Sequence, residues 1–276
     1  MCLLSAVCLF IAGITYWQKT SCYENYVTII NKTGSYEEEF CNLIDEKQET
    51  LEIEKIMNFT FWGEEADVLI SDKENLRQTR TTLLTIRGSS EHLIPYGKIL
   101  QKEDKKGCLI GKKTAEKLFG THRAENLYVQ YENQMFQVRG ILNEPEDILV
   151  IQKQSTIDAI LNGITIKRKS HSTVPETVEN FCVTYGVNGE ALRFDFYRGF
   201  SWLLELIPGK WSDFSGWKQN ISAVKKEWEL LESSEKSMSE LNFLRHTKKA
   251  IGCFAFACVG LGGCIVIFRH NSKENT

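Results

Sequence analysis

YVTIINKTGSYEEEFCNLIDEKQETLEIEKIMNFTFW, residues 26–62, holds a strand, a helix and a strand in that order. Tyr26–Ile30 is a short run rich in β-branched residues, and residues 31–34 have the composition of a turn. Ser35 stands where a helix cap would, and Glu38, three positions on, completes a capping box. Tyr36, Phe40, Leu43 and Ile44 recur at helical spacing and give the helix one apolar face. Leu51 and Ile53, then Phe59 and Phe61, alternate as one or two strands do. The segment therefore reads as β-α-β.

Outward from it, the same grammar returns late in the chain. GITIK (163–167) reads as a strand. Pro175 sits near the first position of a helix running through Val178, Phe181 and Tyr185. ALRFDFY (191–197) then alternates as a strand. Two such units predict an α+β fold, a ferredoxin-like split sheet with helices on one face. Between them, from about 63 to 155, lie short strand-like runs: ADVLIS, TTLLTIR, NLYVQY, MFQVRGIL and DILVIQ. These predict a β-rich insertion containing one short helix, Thr114 to Leu118.

The two ends of the chain are different in character. Overall the residues are 42% hydrophobic and 25% charged, an ordinary globular balance. Yet neither Met1–Trp17 nor Ala250–Phe268 contains a charged residue. At ~1.5 Å rise per residue, AIGCFAFACVGLGGCIVIF (250–268) matches a hydrocarbon core ~30 Å thick. Gly260, Gly262, Gly263 and Cys264 give it a small-residue flank suited to packing on another membrane helix. The first run is short for a span and could be the apolar part of a signal peptide. It has no basic start and no A-x-A before Lys19, so it reads as an uncleaved span ending at Tyr16-Trp17.

The expected organisation is therefore transmembrane helix 1 at 1–18, an extracytoplasmic domain at 19–213, and an amphipathic stalk at 214–249. Transmembrane helix 2 follows at 250–268 and a cytoplasmic tail at 269–276. Trp217, Ile221, Val224, Trp228, Leu231, Met238 and Leu241 form the apolar stripe of the stalk. Basic residues flank the second span on both sides, Arg245, Lys248 and Lys249 before it and Arg269 and Lys273 after. The positive-inside rule does not choose an orientation here; the large acidic-leaning middle segment argues for export.

Catalytic signatures are missing. Gly107–Thr114 (GCLIGKKT) looks like a nucleotide loop, but it has three residues between its glycines where a P-loop needs four, and Lys113 where Ser or Thr should follow the lysine. The histidines at 92, 122, 171, 246 and 270 have no metal-ligand spacing. Ser89, Ser90 and Ser201 lack a nucleophile-elbow context. Glu64, Glu65, Glu144, Glu146 and Asp147 lie in turn-like stretches. No catalytic, cofactor-binding or metal-binding residue is expected, and the chain reads as a non-enzyme that needs no cofactor. A net charge of −3 with no basic stripe disfavours nucleic acid. Cys22, Cys41, Cys108 and Cys182 fall at irregular spacing with no C-x-x-C, which leaves their disulfide state open.

One stretch of the middle segment resembles a known family. Phe59 to Leu142 is similar to the extracytoplasmic core of FtsX-like ABC permeases, the MacB-like periplasmic core domain. The likeness runs in order through FTFWGEEADVLISDKENLRQTR (59–80), LLTIRGSSEHL (83–93), YGKILQKEDKKGCLIGKKTAEKLFG (96–120) and MFQVRGIL (135–142). AEKLFG (115–120), followed by VRGIL (138–142), is its most specific part. The resemblance implies a permease subunit working with a separate cytoplasmic ABC ATPase, whose motion the outer domain relays. Such permeases usually have four spans, and two are expected here. The expected function is an accessory or half-size permease subunit of an FtsX/MacB-type ABC transport or mechanotransmission system. The alternative is a membrane-tethered extracytoplasmic binding or sensing module with no ATPase partner. Expected partners are the ATPase, a multi-span permease subunit, membrane lipid, and a second copy through the stalk and the second span.

Overall fold

The computed structural model describes residues 2–23, 25–31, 34–52, 56–95, 97–142, 147–169, 172–188, 190–191, 214–233 and 238–274. It divides into two compact units, Met1–Asn25 with Met238–Thr276, and Tyr26–Ser237.

The larger unit opens with β1 (Tyr26–Ile30), α2 (Glu38–Thr50) and β2 (Phe59–Asp72), following α1 (Cys2–Tyr23) of the other unit. Near its end come β8 (Gly163–Lys167), α4 (Val174–Tyr185) and β9 (Glu190–Ala191). The pairing order is β2-β8-β1-β9, antiparallel at every step. That is the interleaved order of a ferredoxin-like split sheet, so the two β-α-β units combine as their patterns predict. Beyond Ala191 the expected strand 191–197 lies outside the described residues. One apolar core serves this lobe, built from Ile29, Ile164 and Ile166 of the strands, Cys41 and Ile44 of α2 and Phe181 and Tyr185 of α4.

Local chemistry sets both helices. Thr173 caps α4 with a full capping box, its hydroxyl accepting from Glu176 N and the Glu176 carboxylate accepting from Thr173 N. For α2 the expected Ser35 cap does not form. The helix starts at Glu38 behind Glu37, with no side-chain cap. Tyr36 explains the difference. Its backbone N–H donates to the Leu161 carbonyl at 2.6 Å and its ring is buried, which ties this stretch to the core ahead of the helix. Tertiary burial of one aromatic outweighs a cap worth about 1 kcal/mol.

The insertion is a closed ring of strands. It comprises β3 (Gln78–Arg87), β4 (Gly107–Gly111), β5 (Tyr128–Tyr131), β6 (Gln134–Leu142), β7 (Ile148–Gln152) and the far half of β2. The order β3-β7-β4-β6-β5-β2 closes because β2 also pairs with β3. Alternate residues point inward: Val68 and Ile70, Leu83, Cys108 and Ile110, Val129 and Tyr131, Phe136 and Val138, Leu149 and Ile151. Helix α3 (Lys112–Phe119) adds Ala115 and Leu118, so the ring encloses a filled core and no channel. The runs expected as separate short strands around ADVLIS belong to one long β2, which a bulge between Glu65 and Val68 bends. Within the expected short-helix region, the helix is longer than Thr114 to Leu118 and ends at Gly120 in a left-handed cap (φ 68).

β2 thus serves both lobes, and its turning point is Gly63. A Cβ there would lie 1.7 Å from the Ile160 carbonyl oxygen, so only glycine lets the returning chain cross. Beside it, the Trp62 indole covers Gly163 and donates to Thr165 Oγ1 at 3.0 Å.

After β9, α5 spans Phe214–Ser233. The other unit pairs α1 with α6 (Met238–Glu274). Ala6 meets Gly260, Gly13 lies under the Phe254 ring, and Tyr23 stacks on His246, so the two helices run antiparallel. Among the described residues, no helix is long and apolar enough to cross a membrane. No side chain is described beyond Cys264, inside the Ala250–Phe268 run.

Candidate functional site

The seam between the two lobes of the larger unit gathers the polar chemistry. The start of α2 faces the ends of β3 and β7, and a cleft of about 170 Å³ opens between them. Tyr36, Glu37, Cys41, Arg87, Lys153 and Asp158 line it. A neighbouring hollow of about 300 Å³ shares Ser35, Tyr36 and Glu37 and is completed by Asn31, Phe40 and Asn188.

Arg87 anchors the seam. At the end of β3 it donates to Asp45 Oδ2 through Nε (3.1 Å) and Nη2 (2.7 Å), and to Asn42 Oδ1 at 2.6 Å. Lys102 closes on the other oxygen of Asp45 at 2.9 Å. Burial pulls the Asp45 carboxyl up, but hydrogen bonds and charge from Arg87 and Lys102 outweigh it and hold the group below the usual carboxylate range. Lys153, just past β7, donates to the Ile157 and Ala159 carbonyls at 2.6 and 2.8 Å. Its charge thereby fastens the returning chain.

The cleft has no activated nucleophile among its lining residues. Burial pushes the Cys41 thiol up to about 11 despite the nearby Arg87, and burial also raises the Tyr36 hydroxyl. The described cysteines are free thiols, Cys41, Cys108 and Cys182 among them. Among the described residues no three His, Cys, Asp or Glu side chains converge as metal ligands.

A second polar lock joins the lobes through His92, in a 3-10 turn at Ser90–His92. The Thr60 hydroxyl donates to the Ser89 carbonyl at 2.8 Å and shares a 2.8 Å hydrogen bond with His92 Nδ1. Burial depresses His92 to about 4, so the ring is neutral. Ser90 is buried too and accepts from Leu100 N at 2.8 Å. Both residues hold a loop in place.

The nucleotide-like stretch is structural. Gly107–Gly111 is β4 and Lys112 begins α3 at once, so no loop stands between strand and helix to cradle phosphate. Lys113 and Lys117 bind Asp147 at 2.8 and 2.9 Å. Glu64 and Glu65 are exposed on β2, and His122 is exposed. His171, Glu144, Glu146 and Ser201 lie outside the described residues, as does the His270 side chain. The lobe seam had no sequence signal, because Asp45, Arg87, Lys102 and Lys153 are far apart in the chain.

The chain matches no family model and no curated protein. Solved structures do resemble it. The periplasmic region of MacB from Actinobacillus actinomycetemcomitans is 15% identical over 67% of this chain and 94% of its own, with a TM-score of 0.46. The extracellular domain of the noncanonic ABC-type transporter YknZ from Gram-positive bacteria is 17% identical over 61% of this chain and 100% of its own, with a TM-score of 0.44.

Proposed function

We propose that this chain is an accessory or half-size permease subunit of an FtsX/MacB-type ABC transport or mechanotransmission system, with its larger unit outside the cytoplasm. The observation that carries the membrane part is the surface of the helix pair. Leu4, Phe10, Ile11, Phe256 and Val259 face outward, Leu4 and Val259 each 74% exposed. Between the helices lie Ala6, Thr20, Asn242, Thr247, Ala250 and Ala257, nearly all small or polar and each at most 1% exposed. Large apolar groups outside and small or polar ones inside suit a pair of helices solvated by lipid.

The resemblance of Phe59–Leu142 supplies the transporter class. Its motif residues are those that build the ring: Ala115 and Leu118 in the core, Gly120 ending α3, and β6 along VRGIL. An outer domain with a filled core suits passing on motion from an ATPase in the cytoplasm. Purification in mild detergent tests the reading. An ABC ATPase or a multi-span permease subunit should accompany the full chain at stoichiometric levels. Isolation of the folded full chain with no such protein accompanying it would overturn it.

The hollow beside Tyr36 and Phe40 favours a second reading, a tethered binding or sensing module. The two aromatic rings stack with centroids 5.8 Å apart beside the polar Asn31, Ser35 and Asn188, which would suit a small amphipathic ligand. That reading predicts ligand binding without any ATPase.

A further inference from the structure

We draw no further inference here: the strongest candidate, the apolar patch on the outer face of the strand ring where Leu69 of β2, Tyr128 of β5 and Met135 of β6 stand exposed on neighbouring strands, carries nothing because nothing in the structure shows what covers it.

Discussion

His92 shows how a single buried side chain makes the larger unit sensitive to acid. Its folded pKa is about 4 and its unfolded value about 6.5, so the unfolded chain binds the extra proton first as pH falls. Stability is then complete above about pH 6.5 and declines towards pH 4, by about 3 kcal/mol for this group. Glu91 opposes the shift, and Lys167, ion-paired to Glu91 at 3.3 Å, reinforces it. Denaturant midpoints of the full chain at pH 7 and pH 5 should differ, and His92→Gln should shrink that difference. An unchanged pH dependence in the variant would remove His92 from the account. Gly63 offers a steric counterpart. Gly63→Ala forces its new methyl into the Ile160 carbonyl and should cost on the order of 3 kcal/mol or more. Gly34, whose added Cβ would meet nothing within 4 Å, should tolerate alanine within about 0.5 kcal/mol. Neither His92 nor Gly63 stood out in the sequence, because what confines each comes from chain far away.

Elements were legible in proportion to how local their causes are. The strand-like run GITIK and the helix start at Pro175 act within a few residues, and β8 and α4 form where that grammar places them. The Ser35 box is equally local, but Tyr36 is drawn into the core and overrides it. Ring closure lay beyond reading. It depends on the parallel pairings β3–β7 and β4–β6, whose partners are separated by whole elements. The β4–α3 junction yields a direct test of function. Since Lys112 follows the strand with no loop, Lys112→Ala should leave nucleotide binding of the full chain at zero, as in the parent. ATP binding that this change abolishes would contradict the non-enzymatic reading. In α5 the sequence supplies the argument. Burying a large apolar side chain contributes roughly 1.5–3 kcal/mol. If the stripe through Trp217, Ile221 and Leu231 docks on a partner, Leu231→Asp should weaken assembly measurably by cross-linking or size analysis. Glu232→Ala, off that stripe, should do little.

At the scale of the whole molecule, topology is the decisive prediction. The α1/α6 pair is antiparallel, with Ala6 and Gly260 at one end and Tyr23 and His246 at the other. Residues 24–237 follow α1 and precede α6 in the chain, so if the pair spans a bilayer this segment begins and ends on one side of it. If the pair spans a bilayer, the residues before Ala6 and those after Gly260 share the opposite side. The positive-inside rule does not decide which side is which, since cations flank the second run on both sides. The large, acidic-leaning middle segment favours export, the orientation with the larger unit outside the cytoplasm. A reporter active only outside the cytoplasm should therefore score when fused after Lys153 and fail when fused after Asn271. The reverse pattern would invert the protein. Activity from both fusions would show that α6 does not cross the bilayer, a soluble product cut near Lys19 would show that α1 does not stay with the chain, and either would end the membrane-pair reading.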